Sequence, residues 1–219
     1  MPISVYLRAA AFLVCAAAVL FVSAGRFAIA TFWAYLAILV AVFVAAFALL
    51  DRGLLQERMR PGGKPAPLGL RLLNVVLLVH WIIAGLDRGH LHWSDDVPAW
   101  LQGLALAMFA AGYGLALWAM LVNRFFSSVV RIQSDRGQHV VTTGPYAFVR
   151  HPGYSAGIMI VLASGIALGS WLAAAFLAAV VLPFLLYRVL KEERVLRDQL
   201  DGYAGYARRV SWRLFPGIW

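Results

Sequence analysis

The chain has 219 residues, 63% of them hydrophobic, and a mean hydropathy of +0.79, which excludes an ordinary water-soluble domain. A formal net charge of +9 would suit a nucleic-acid binder, but the basic residues stand between apolar runs rather than on a polar domain. The charge therefore reads as a topology signal facing anionic headgroups, with the lipid bilayer as partner and no nucleic acid.

At the N-terminus Arg8 leads into an apolar run that resembles a signal peptide. No polar mature domain follows the small residues at 23 to 25, so this run is predicted to be a retained transmembrane helix. Cys15, the only cysteine, falls inside it, which removes both a disulfide framework and a Cys-rich metal site. Further apolar segments run over 28 to 50, 72 to 87, 99 to 122, 155 to 168 and 171 to 190, and those near twenty residues are long enough to cross a bilayer. The last two are separated only by "LGS", so they are expected to form a tight helical hairpin. Gly157, Gly165 and Gly169 would let its arms approach. Pro183 is expected to kink the final span.

The Pro-Gly cluster at 61 to 69 reads as a loop between helix pairs. The stretch around it carries Arg52, Arg58, Arg60, Lys64 and Arg71, and 123 to 154 carries Arg124, Arg131, Arg136 and Arg150. The opposite loops have only Arg26 and Arg88. The positive-inside rule then puts the two basic faces, and with an even number of crossings both termini, in the cytoplasm. Two β-branched runs flanking a Ser-Asp-Arg-Gly turn, "SVVRIQSDRGQHVVTT", predict a small surface hairpin. "GPYAFVRHPGY", residues 144 to 154, follows. It is expected to stay extended until Tyr154 opens a helix, because Pro152 biases His151 away from helical geometry. The fold expected is all-α: a polytopic membrane bundle of five or six transmembrane helices, with residues 1–122 as N-terminal spans and 123–219 as a cytoplasmic loop, helical hairpin and cytoplasmic tail.

Candidates for chemistry gather after residue 122. Extended backbone at Pro152 would splay Arg150 and His151 apart, one to hold an anion and the other to bond a ligand. The plainer reading is a topology charge and a loop anchor. Glu192 and Glu193 end a long apolar helix among Arg188, Lys191 and Arg194, which can neutralise them three and four residues away. Tyr203 and Tyr206 in "GYAGY" suit either an interfacial belt or a ligand face. His90, His92, Asp95 and Asp96 share an outer loop but lack the i, i+4 spacing of a helical metal site, and His80 reads as a satisfied core histidine, so no metal is expected. No GxGxxG, Walker or GxSxG motif is present.

Taken in order, "GPYAFVRHPGY", an apolar hairpin, "EERVL" and "GYAGYARRVSWRLFPG" resemble the isoprenylcysteine carboxyl methyltransferase family of integral membrane enzymes, and the lead "FFSSVVRIQSDRGQHVVTTGPY" resembles its bacterial branch. The resemblance covers about the last 100 residues. It implies an S-adenosylmethionine-dependent methyltransferase, with S-adenosylhomocysteine as product, acting on the carboxylate, thiol or similar head of a lipophilic or small acceptor in the bacterial inner membrane. The residues that match imply cofactor binding by His139, Arg150, His151, Pro152, Tyr154, Glu192, Glu193, Tyr203 and Tyr206. Arg213 and Glu193 are the implied catalytic pair, Arg213 orienting acceptor or cofactor and Glu193 serving as base for an amine. A phospholipid amine N-methyltransferase, or a membrane reductase using NADPH, are the alternatives that share this architecture.

Overall fold

The computed structural model describes residues 3–59 and 68–219, so most of the Pro-Gly cluster at 61 to 69 lies outside the described residues. Eight α-helices follow in order: α1 (Ile3–Ala24), α2 (Ala30–Leu49), α3 (Arg52–Met59), α4 (Leu68–Leu86), α5 (Ala99–Val122), α6 (Pro152–Ala167), α7 (Trp171–Gln199) and α8 (Tyr203–Arg209). Five of them, α1, α2, α4, α5 and α7, are long and apolar enough to cross a membrane, and α6 is a shorter apolar helix of 16 residues. Large apolar residues on the spans, such as Val14, Val22, Val44 and Leu104, point outward, as expected where hydrocarbon is the solvent.

Small residues set the helix contacts. A Cβ on Gly85 or Gly89 would run into Ser23 and Ala24, which is how α4 lies against α1. A Cβ on Gly165 would run into the backbone of Ala174, so the arms of the α6–α7 hairpin close as the sequence predicts. Gly169, at φ 81, makes the turn between them. α7 runs through Pro183 as a single helix.

Inside, Leu20, Phe32, Phe109 and Leu168 build the main core. A chain of hydrogen bonds crosses it: Trp81 Nε1 to Tyr35 OH (3.4 Å), Tyr35 OH to Ser164 Oγ (2.9 Å), Ser164 Oγ to His80 Nε2 (2.9 Å), and His80 Nδ1 to the Ala173 carbonyl (3.1 Å). His80 is thus a satisfied core histidine that ties α4 to α6 and α7. At one end of the bundle the buried Asp87 carboxylate accepts from Ser170 Oγ (2.6 Å), from the amides of Trp93 (2.8 Å) and Ser94 (3.0 Å), and from Ser94 Oγ. It fastens the α4–α5 loop to the hairpin tip.

At the other end the expected surface hairpin over 128 to 143 does not form. The stretch is irregular around one 3₁₀ turn, Ser134–Arg136, and among the described residues there is no strand. The β-branched runs have no sheet edge to join. They are held by side chains instead: Arg131 donates to both oxygens of Glu57 on α3 (3.2 and 3.1 Å), and buried Gln133 donates to the Phe125 carbonyl (2.5 Å).

Candidate active site

Local geometry at residues 144 to 154 departs from the extended loop expected. Gly144 sits at φ 58, where a Cβ would also press on Val122 at 2.8 Å, and Pro145 starts a 3₁₀ turn over Gly144–Ala147. His151 (φ −127, ψ 60) precedes a helix that begins at Pro152, two residues before Tyr154. A proline's fixed φ and missing N–H suit the first helical position, which is why the helix starts there. The tail folds back onto this loop: the amides of Arg150 and His151 donate to the carbonyls of Trp212 (3.0 Å) and Arg213 (2.9 Å), and Tyr206 OH donates to the Tyr146 carbonyl (2.7 Å).

The side chains of Arg150 and His151 do not splay apart. Both converge on Glu193: Arg150 Nε lies 3.2 Å and His151 Nε2 2.7 Å from its Oε2, and Arg150 Nη2 lies 3.0 Å from its Oε1. Arg197, one helical turn along α7, donates to Oε1 (2.9 Å), and Tyr203 OH donates to Oε2 (3.0 Å). Nη1 of Arg150 donates to the carbonyls of Val210 and Ser211 (2.7 Å each). Glu193, 4% exposed, is therefore surrounded by donors, which is what a buried carboxylate requires. Burial first, and then the Glu193 charge, push the Tyr203 phenol well above its ordinary range, so it stays a neutral donor.

Beside this hub lies a cavity of about 760 Å³. Its polar end is lined by His139, Arg150, His151, Pro152, Tyr154, Glu192, Tyr203 and Tyr206, and its apolar part by residues of α1, α2, α5 and α6 such as Phe12, Leu39, Phe43 and Ile160. Glu193 and Arg213 do not line it. Adjacent residues on a helix point about 100° apart, so Glu192 faces the cavity while Glu193 turns to the hub. Arg213 stacks on Trp219, 5.1 Å from the ring centroid, and its Nε is buried with no hydrogen-bond partner among the described residues.

On the cavity wall Tyr154 OH donates to Glu192 Oε2 (2.8 Å) and accepts from Arg188 Nε (3.2 Å), while Arg188 Nη2 donates to the Ser128 carbonyl (2.9 Å). His139, exposed on its loop, sets its ring edge-on to Phe125 at 5.1 Å. In the sequence Arg188 stands only as a neutralising charge beside Glu192. Its position one turn before Glu192 was the available signal, since i and i+4 share a helix face. Arg131 and Phe126 reach the wall through irregular backbone and carried no sequence signal.

Residues 105–198 match the profile of the isoprenylcysteine carboxyl methyltransferase (ICMT) family. Over this stretch the chain is similar to that family. The matched region contains the 144 to 154 loop, both glutamates and the α6–α7 hairpin, whereas Tyr203, Tyr206 and Arg213 lie beyond it. The chain is similar to the cobalt-zinc-cadmium resistance protein CzcN of Cupriavidus metallidurans, 29% identical over 143 residues, covering 65% of this chain and 62% of that one. It is also 30% identical over 121 residues to protein-S-isoprenylcysteine O-methyltransferase B of Arabidopsis thaliana (54% of this chain, 58% of that one). With the Schizosaccharomyces pombe protein-S-isoprenylcysteine O-methyltransferase the identity is 30% over 111 residues (50% and 47%). The chain thus spans about half to three-fifths of the length of these curated relatives. Five apolar spans, together with the match to a family of membrane enzymes, make it an integral membrane protein.

Proposed function

We propose that the protein is an S-adenosylmethionine-dependent methyltransferase that transfers a methyl group to the polar head of a lipophilic or small acceptor. The observation that carries this reading is one continuous cavity with a charged, aromatic end, built by residues of the matched region together with Tyr203 and Tyr206, and an apolar part between membrane helices. Its volume lies in the range of small-molecule sites. The donor set suits the cofactor: Arg188 for the α-carboxylate, Glu192 for the α-ammonium or a ribose hydroxyl, and the rings of Tyr154, Tyr203 and Tyr206 for adenine or the sulfonium. When bound, the cofactor supplies a methyl group whose carbon–sulfur bond breaks as the bond to the acceptor forms.

The chain's own contribution is alignment and exclusion of water. Tyr154 holds Glu192 and Arg188 in fixed relation, and the loop over 125 to 141 roofs the cavity. Arg150, His151 and Pro152 shape the polar wall, with His139 at the loop edge. Glu193 acts through Arg150, His151 and Tyr203 as a positioning residue rather than as a base, because its oxygens are already engaged. Arg213 positions the tail through its backbone contact to His151. Residues 1–122 and 123–219 both contribute to the apolar wall, and 123–219 supplies most of the polar one. With the shorter α6 as a sixth crossing, the charge of the loops turns the polar end and both termini to the cytoplasm of a bacterial inner membrane.

The deciding experiment is calorimetric titration of S-adenosylhomocysteine into the detergent-purified protein and its Glu192→Gln variant. The wild type is expected to bind and the variant to bind about tenfold more weakly, the loss of one charge-assisted contact. Absence of binding to the folded wild type would sink the methyltransferase reading.

A further inference from the structure

Five tyrosines line the cavity, and four of them have engaged hydroxyls. Tyr146 OH accepts from Asn123 Nδ2 (3.0 Å), Tyr154 OH donates to Glu192 (2.8 Å), Tyr203 OH to Glu193 (3.0 Å) and Tyr206 OH to the Tyr146 carbonyl (2.7 Å). The fifth, Tyr113, has no hydrogen-bond partner among the described residues. Its ring stands edge-on to Phe109, centroids 5.0 Å apart, and Phe109 in turn stacks on Tyr35 at 4.4 Å. Tyr35 is itself engaged, with Trp81 and Ser164.

Helix geometry places this free phenol deep in the apolar part. Tyr113, Ala116, Met120 and Asn123 follow one another along the cavity face of α5, and Asn123 marks the polar end through its bond to Tyr146. At the rise of a helix Tyr113 lies about 15 Å further in than Asn123. Side chains tilt toward the helix N-terminus, so the ring leans further still from the polar end. A hydrocarbon core is about 30 Å thick, which sets the hydroxyl near its middle. Its surroundings are apolar: Tyr113 and Ile160 pack against the core cluster that holds Leu39 and Phe109, and a Cβ on the neighbouring Gly112 would lie 2.9 Å from Ile160. Leu39, Ala116 and Ile160 offer a water at this level no second partner, and an ordered water needs two to four. A phenol left unpaired in such surroundings is costly, and a phenylalanine would pack there without that cost.

We propose, resting on the methyltransferase reading above, that Tyr113 is a specificity residue for the methyl acceptor, its hydroxyl donating a hydrogen bond to an oxygen carried within the acceptor's apolar tail. The acceptor is then an amphiphile whose tail is interrupted at about its middle by a ketone, ester, ether or hydroxyl oxygen, and a plain hydrocarbon tail is disfavoured. A site that presents a buried donor rejects the analogue lacking its partner, because that analogue leaves the donor unpaired. The position of the oxygen follows from the depth of Tyr113: an extended chain of about twelve bonds reaches roughly 14 Å. Head chemistry belongs to the polar wall and is separate from this choice.

The test uses the full chain in a nonionic detergent with three probes that share a head and a length: octadecanoate, 4-oxooctadecanoate and 12-oxooctadecanoate. Each is titrated to displace cis-parinaric acid, read by energy transfer from tryptophan, and S-adenosylhomocysteine binding is measured separately by calorimetry. The 12-oxo acid is expected to bind about tenfold more tightly than either of the others. Tyr113→Phe keeps the ring against Phe109 and should erase that preference while leaving S-adenosylhomocysteine binding unchanged. Comparing the variant with the wild type also removes any difference in micelle partition among the probes. The melting temperature of Tyr113→Phe in detergent should equal that of the wild type, since no hydrogen bond of the folded protein is lost. Equal binding of the three acids, a gain from the 4-oxo acid as large as from the 12-oxo acid, or a preference that survives in Tyr113→Phe overturns the assignment. A clear drop in the melting temperature of Tyr113→Phe also overturns it, because the hydroxyl would then hold the fold and not a ligand. A wild type that prefers the 12-oxo acid but does not bind S-adenosylhomocysteine upholds the tail subsite and fails the methyltransferase reading alone.

Discussion

Arg150 Nη2 lies 3.0 Å from Glu193 Oε1 with both side chains sealed from solvent, and this pair joins the loop before α6 to the polar end of α7. Removing the Glu193 charge leaves Arg150 buried without a carboxylate, which costs about 3–5 kcal/mol, whereas removing Arg150 leaves Glu193 with Arg197, His151 and Tyr203 and costs less. Glu193→Gln is expected to lower the melting temperature in detergent sharply, and Arg150→Met to lower it less. The double variant should lose clearly less than the two effects summed, because it no longer strands a charge. Strict additivity in that cycle would mean that the two residues do not act as a unit.

Tyr154→Phe removes a single oxygen that connects Glu192 to Arg188. The ring still packs, so thermal stability should change by less than about 1 kcal/mol. Affinity for S-adenosylhomocysteine should fall by about tenfold, since two wall residues lose their mutual orientation. A variant that binds as the wild type does would remove Tyr154 from the binding assignment.

Gly153 has no room for a larger residue, because Phe126 occupies the space where a Cβ would go. Gly153→Val should displace that ring, disturb the Arg58 guanidinium that lies over it and weaken ligand binding, with Gly153→Ala milder in the same direction. The cost expected is about 1–3 kcal/mol, typical of overpacking. Thermal melts of the two variants against wild type measure it, and unchanged melts would mean that the ring moves freely.

Glu57 and Arg131 clasp the roof over 125 to 141 to α3. Arg131→Gln should raise amide hydrogen exchange across that stretch while leaving α5 and α6 protected. Uniform exchange in both proteins would show that other contacts hold the roof.

The Tyr203 and Tyr206 phenols are both raised above their ordinary value, chiefly by burial. An unfolded tyrosine ionises near pH 10, and the folded ones ionise only above that. Their contribution to stability is therefore complete below about pH 10 and is lost as the pH rises toward the folded values. Melting temperature should fall above about pH 10, and the fall should be shallower in Tyr203→Phe. An identical alkaline slope in the variant would exclude Tyr203 as its source.

Much of the fold was legible because hydrocarbon thickness imposes a length on each apolar run, and runs of that length are readable without any contact being known. The tight hairpin announced itself through Gly165 and Gly169. Polarity alone could not separate Glu192 from Glu193, although one faces the cavity and the other the Arg150–His151 hub. The expected surface hairpin failed for the complementary reason: β-branched residues favour strands only where a partner strand exists, and here the stretch is held by Glu57 and Gln133 contacts.

The sequence by itself determined an all-helical membrane bundle and an ordered family motif after residue 122, since span length, loop charge and motif order are properties of the chain read in line. Only the tertiary structure decided that Arg150 and His151 close on one carboxylate, that Tyr154 bridges Arg188 and Glu192 on the cavity wall, and that Arg58 reaches the motif across Phe126. Those relations join residues far apart along the chain. They depend on helix rotation and on irregular backbone, and neither is encoded in the identity of any single residue.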